Sequence, residues 1–222
     1  MTEYTPNYRK VYERKTIIIG KVLSKLGFTP TMMTAGSVVI ACISLYYFAH
    51  RDLLMALVII VLAGIFDVFD GAIARATGKV SKYGTLLDNT TDRVVEGIMI
   101  MGLMIGSYVR SWIALLTLLA MFLPSYIRAR GEAELHVKAL GVGLFERKEK
   151  LGTLFGGIIL AWYFGNRTFQ FSYVSLSILE IICLIITIGS IITSFQRLAF
   201  FSQAEKHSLN RLRGQNQISE FK

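Results

Sequence analysis

Asp67-Val68-Phe69-Asp70-Gly71-Ala72-Ile73-Ala74-Arg75, followed after eight residues by Gly84-Thr85-Leu86-Leu87-Asp88-Asn89-Thr90-Thr91-Asp92, puts four aspartates at the facing ends of two apolar segments. A charged side chain in a membrane-spanning helix costs about 2.5 to 3.5 kcal/mol on insertion scales, so it is retained where a cavity, an ion or a partner compensates it. Asp67 and Asp70 are three residues apart and Asp88 and Asp92 four apart, so each pair shares one face of a helix. The link between the segments is short, which makes the two helices antiparallel neighbours and brings the pairs to similar depth. Four carboxylates in one pocket repel one another and are driven toward protonation. Hard divalent cations with oxygen ligands, Mg2+ or Mn2+, remove that conflict, and two ions can share this many carboxylates. Structural ion pairs with Arg75 and Arg93 are the alternative, but two arginines leave two carboxylates unneutralised. Gly71 and Gly84 open the backbone to a bulky ligand, and Arg75 offers a fork for phosphate, which suits a metal-bound diphosphate.

Outward from this centre, the 222-residue chain is 53% hydrophobic and only 18% charged, with a mean hydropathy of +0.51, too apolar for a soluble domain. Apolar runs start near Thr31, Leu53, Gly84, Trp112, Leu151 and Ser172 and predict six transmembrane helices, the fourth interrupted by Pro124. Met1 to Lys25 mixes lysine and arginine with isoleucine, valine and leucine, without a signal-cleavage site, and reads as an amphipathic helix on the membrane, ended by Gly27 and Pro30. The expected architecture is an all-α integral membrane protein: a cytoplasmic juxtamembrane helix over 1–28, a six-helix domain over 29–200 and a polar cytoplasmic tail over 201–222. Of the 24 Lys+Arg, 20 fall before the first span, in alternate loops and after the last; Arg51, Arg110 and Arg167 occupy the other face, and Arg93 lies within a span. That asymmetry puts both termini, and the aspartates, at the cytoplasmic side. The +9 net charge therefore reads as topology and affinity for lipid headgroups, with no nucleic acid as partner. Cys42 and Cys183 sit inside apolar runs without a second ligand at metal spacing and read as packing residues.

The two aspartate segments resemble the complete signature of the CDP-alcohol phosphotransferases, integral membrane enzymes that build phospholipid headgroups, and the expected six-helix topology agrees with that family. The resemblance implies that Asp67, Asp70, Asp88 and Asp92 bind two divalent ions bridging the diphosphate of a CDP-linked lipid. Asp92 is then also the base that deprotonates the acceptor hydroxyl, and CMP leaves. It further implies that Gly71, Arg75 and Ser81, with Pro30, Thr31, Met32 and Met33, line the CDP-lipid site in a cell-membrane homodimer.

Pro124-Ser125-Tyr126-Ile127-Arg128, Glu146-Arg147 and Phe195-Gln196-Arg197 resemble the subgroup whose acceptor is inositol 1-phosphate. Ser125, Arg128, Arg147 and Arg197 match the residues that hold the acceptor phosphate there, and an anionic acceptor gives a reason for gathering three arginines. The subgroup usually carries lysine where this chain has Arg128, which leaves glycerol 3-phosphate open as the acceptor, with serine a further possibility in the family. Outside the family, a carboxylate-lined cation transporter is the alternative; transporters place such charges near the bilayer midplane, whereas these lie toward helix ends. A membrane-surface scaffold accounts for none of the aspartate spacing.

Overall fold

Thr29, Asp52 and Ser81 each end a loop by capping the helix that follows: their side-chain oxygens accept hydrogen bonds from the backbone N–H groups of Met32 (3.2 Å), Met55 (3.0 Å) and Gly84 (2.9 Å). These caps start α2 (Pro30–Ala49), α3 (Leu53–Ala76) and α4 (Lys82–Ile105), which with α1 (Asn7–Lys25) build the first of two compact units, Met1–Ser107. The structure, a computed structural model, describes residues 7–171 and 174–220, with side chains over 16–170 and 174–206. Met1 to Pro6, the side chains of Arg9, Lys10, Arg14 and Lys15, and the expected start of a span at Ser172 lie outside the described residues.

In the first unit α2 packs on both α3 and α4, and α1 packs on α3. Close approach depends on missing side chains. A Cβ on Gly20 would strike the backbone carbonyl of Ala72, and one on Gly102 would strike the Phe48 ring. Small residues at crossings let helix backbones come together where lipid gives no hydrophobic drive for association. On α1, Ile18, Ile19 and Val22 are exposed, an apolar strip beside Lys21 and Lys25.

The second unit, Tyr108–Lys222, contains α5 (Ser111–Leu135), α6 (Arg147–Phe164), a hairpin of β1 (Thr168–Phe171) and β2 (Val174–Ser177), and α7 (Ile178–Glu220). Both α5 and α6 pack on α7. Thr117 and Thr187 share a hydrogen bond of 3.0 Å between buried hydroxyls of α5 and α7. Pro124 lies within α5, which continues to Leu135. The hairpin pairs Thr168 with Ser177 and Phe171 with Val174. Beyond it, Glu180 Oε1 accepts from Arg110 Nε at 2.6 Å, while Oε2 accepts from Arg110 Nη2 (3.1 Å) and from the N–H of Ser177 (3.0 Å). The Arg110 guanidinium also stands 5.7 Å from the Trp112 ring centroid.

Among the described residues, α2, α3, α5 and Ile178–Lys206 of α7 are long and apolar enough to cross a membrane. The chain is a largely helical membrane protein. The other two expected spans fall on α4 and α6, whose mean hydropathy is lowered by Asp88, Asp92, Arg93 and Glu96 and by Arg147, Lys148, Glu149 and Lys150. Two boundaries differ from expectation. The hairpin occupies chain that the apolar run assigned to the last span, so the helix begins at Ile178 and the fold is not wholly α; and the polar tail is not a separate element, because α7 continues through it to Glu220.

Candidate functional site

Asp67 and Asp70 lie in the last third of α3, which runs on to Ala76, and Asp88 lies in the second turn of α4. One carboxylate oxygen from each of the three lies within 4.8 Å of the others. Asp70 is buried, and its Oδ2 accepts a hydrogen bond of 2.5 Å from Thr34 Oγ1. Thr34 also approaches the Pro30 carbonyl at 3.0 Å, so α2 fixes the orientation of one member of the cluster. Three charged oxygens at this separation, on two rigid helices, are a donor set for a hard cation. Asp92 is buried one turn further along α4 and is not in this tight group. The structure therefore brings together three of the four expected aspartates, with the fourth one turn beyond Asp88 on α4.

A cavity of about 590 Å³ opens beside Asp70 and Asp88. Of the residues expected at the CDP-lipid site, Pro30, Thr31, Gly71, Arg75 and Ser81 line this cavity, whereas Met32 and Met33 do not. On a helix with 3.6 residues per turn, the face that carries Pro30, Thr31 and Thr34 turns the two methionines elsewhere: Met32 is exposed and Met33 buried. A Cβ on Gly71 would stand 3.0 Å from Arg75 Nη1, so the glycine gives the guanidinium room to lie along α3. Thr29, Thr34, Lys79, Tyr83 and Thr85 also line the cavity and were not among the expected site residues. Lys79 adds a second cation beside Arg75. The same lining thus holds two cations and the carboxylates of Asp70 and Asp88, a mixture that suits a phosphate anion bridged by cations.

In the second unit Arg197, 5% exposed, donates from Nη1 to the Pro124 carbonyl at 2.7 Å and from Nε to the Val142 carbonyl at 2.9 Å. Its Nη2 stands 3.6 Å from Glu146 Oε1. Pro124 directly precedes Ser125 and Glu146 directly precedes Arg147 in the chain, so Arg197 contacts the sequence neighbours of two other expected acceptor residues. The fourth, Arg128, is one turn from Ser125 on α5 and donates from Nε to Glu132 at 3.0 Å; Glu132 also accepts from the N–H of Ala139. Thr193 and Gln196 accept from the N–H groups of Phe145 (2.9 Å) and Leu144 (2.8 Å), strapping the 142–146 loop to α7. Lys150, buried on α6, donates to the Met121 carbonyl at 3.3 Å.

The profile of the CDP-alcohol phosphatidyltransferase family matches residues 28–195. The archaetidylinositol phosphate synthase of Pyrococcus horikoshii is 35% identical over 155 residues, which cover 70% of this chain and 80% of that protein. The phosphatidylinositol phosphate synthase of Mycobacteroides abscessus is 32% identical over 166 residues, 71% of this chain and 74% of that one. Among solved structures, Mycobacterium tuberculosis phosphatidylinositol phosphate synthase with CDP-DAG bound superimposes with a TM-score of 0.71 at 27% identity, over 85% of this chain and 94% of that chain. The same mycobacterial enzyme in complex with manganese and citrate gives a TM-score of 0.70.

Proposed function

Since the chain belongs to the CDP-alcohol phosphatidyltransferase family, we propose that it transfers the phosphatidyl or archaetidyl group of a CDP-activated lipid to a hydroxyl of inositol 1-phosphate and releases CMP. The observation that carries this reading is the meeting of the Asp67, Asp70 and Asp88 oxygens within 4.8 Å beside a cavity lined by Arg75 and Lys79. That is an arrangement for diphosphate and cation together. The relatives named for inositol phosphate lipids, and the contacts of Arg197 with the neighbours of Ser125 and Arg147, support the choice of acceptor.

Asp67, Asp70, Asp88 and Asp92 fit two divalent ions, Mg2+ or Mn2+, as an all-oxygen donor set. Bound there, the ions supply charge neutralisation for the phosphoryl oxygens. The protein's own groups do the rest. Arg75 and Lys79 bind the diphosphate, Gly71 clears the space for Arg75, and Ser81 and Pro30 to Thr31 bound the nucleotide end of the cavity. Ser125, Arg128, Arg147 and Arg197 bind the acceptor phosphate. Asp92 takes the proton of the acceptor hydroxyl as its oxygen bonds to the lipid-bearing phosphorus. The bond from that phosphorus to the CMP oxygen breaks, and CMP leaves with the electron pair.

The same reading takes α4 and α6 as the two further spans of a six-span domain over 29–200. It places α1, the polar end of α7 and the aspartates at the cytoplasmic face of the cell membrane, in a homodimer. The experiment is CMP release from CDP-diacylglycerol and CDP-archaeol with Mg2+ or Mn2+, offering inositol 1-phosphate, glycerol 3-phosphate and serine in parallel. Use of inositol 1-phosphate is expected. Preference for serine overturns the arginine-pocket argument, and Asp92→Asn that still releases CMP at the wild-type rate overturns the base.

A further inference from the structure

Two Arg–Glu pairs with i, i+4 spacing lie toward the end of α5, and they are built differently. Arg130 reaches Glu134 through Nη2 at 2.8 Å, with side chains 66% and 57% exposed, an ordinary surface pair of the kind that contributes little. Arg128 reaches Glu132 through Nε at 3.0 Å, with side chains 37% and 30% exposed. The Glu132 oxygen that accepts this bond also accepts from the backbone N–H of Ala139, again at 3.0 Å. Ala139 is wholly buried, and a little further along the same loop the Val142 carbonyl accepts from Arg197. The loop after α5 therefore fixes Glu132 from outside its own helix. Helical spacing alone brings such side chains together; it does not supply that second anchor.

The guanidinium nitrogen that is used decides what remains. With Nε spent on Glu132, the two parallel donors of Nη1 and Nη2 are left, and among the described residues neither makes a hydrogen bond. That edge matches two oxygens of one phosphate. We infer that Glu132 is a positioning residue: it holds Arg128 by Nε, so that the Nη1–Nη2 edge is presented, already ordered, to the phosphate of the acceptor. This rests on the phosphotransferase reading above and on its anionic acceptor. Lysine carries all its donors on one nitrogen, so it cannot be gripped at one atom while two others bind phosphate. Glu132 thereby gives a reason for arginine at position 128.

The test is a double-mutant cycle on CMP release from CDP-diacylglycerol with Mn2+ and inositol 1-phosphate, placing Glu132→Ala in the wild-type and in the Arg128→Lys background. In the wild-type background Glu132→Ala is expected to raise KM for inositol 1-phosphate about 5- to 10-fold, the cost of ordering a freed arginine on binding, with KM for CDP-diacylglycerol unchanged. In the Arg128→Lys background the same substitution is expected to change it less than about twofold, since no Nε–H is left to hold. Glu132→Gln, whose amide oxygen still accepts from Nε and from Ala139, is expected to stay within about twofold of wild type. An equal factor in both backgrounds overturns the inference, because it marks a role through the Ala139 loop alone. So does an unchanged KM in the wild-type background, and so does a loss in Glu132→Gln as large as in Glu132→Ala. A matching rise in KM for CDP-diacylglycerol, the sign of a damaged fold, overturns it too. Wild type that uses glycerol 3-phosphate in place of inositol 1-phosphate refutes that acceptor alone, and the cycle is then read with glycerol 3-phosphate, which carries the same phosphate group. Wild type that prefers serine removes the anionic acceptor, and the inference with it, before any variant is made.

Discussion

Thr34 shows how a site depends on residues without charge. Its hydroxyl reaches Asp70 Oδ2 from a different helix, and outer partners of this kind orient ligands and tune cation affinity. Thr34→Val is expected to weaken the activating Mn2+ by about 10- to 100-fold, read as the Mn2+ concentration for half-maximal CMP release. Gly71→Ala is expected to raise KM for the CDP-lipid severalfold, because a Cβ there stands 3.0 Å from Arg75 Nη1 and displaces the guanidinium. The four aspartates were legible in the sequence because charge in an apolar helix demands a reason. Thr34 was not, since a threonine in an apolar run can satisfy itself on its own helix, as Thr34 in part does at Pro30. Arg197 was legible as a cation; its grip on the Pro124 and Val142 carbonyls depends on which helices meet, and that is a tertiary fact.

At the scale of elements, the boundary after α1 was marked in the sequence by Gly27 and Pro30, while the caps at Thr29, Asp52 and Ser81 emerge from the structure. The hairpin was hidden. Val174-Ser175-Leu176-Ser177 alternates over too few residues to stand apart from the apolar run behind it, and its setting is completed by Glu180, which accepts from the Ser177 N–H. The continuation of α7 past Phe195 was hidden for the opposite reason. Polar composition reads as tail, while Gln203, Ala204, Glu205 and Lys206 are all good helix formers and carry the helix on. Helix crossings make their own prediction. Gly102→Ala drives a methyl into the Phe48 ring and is expected to destabilise the protein by about 1 to 3 kcal/mol, as overpacking does. Thermal unfolding in detergent measures the loss, and Phe48→Leu in the same chain, which shortens the intruding ring, is expected to return part of it.

At the scale of the molecule, hydropathy and the Lys/Arg asymmetry make two separable statements, where the chain lies and which way it faces. Among the described residues hydropathy alone marks four spans; the charges of α4 and α6 count against those two helices in a hydropathy average. The orientation is tested with an impermeant maleimide on intact cells, in a Cys42→Ser, Cys183→Ser background. Arg51→Cys and Arg167→Cys are expected to label, and Lys148→Cys and Lys206→Cys to label only after the membrane is opened. Removal of divalent ions with EDTA is expected to abolish CMP release, and Mn2+ to restore it, without a change in helix content by circular dichroism; the helices are held by packing and the ions by the helices.

The unbroken run of α7 has a practical side. Forty-three helical residues extend about 65 Å at 1.5 Å per residue, twice the thickness of the hydrocarbon layer. The segment outside that layer is a stiff shaft joined without a hinge to a helix that also bears Arg197. A soluble protein fused to it in helical phase would turn with it as one rigid body. Such a fusion would give a small membrane protein a visible fiducial for single-particle imaging, whereas a fusion through a glycine linker would wobble and give none.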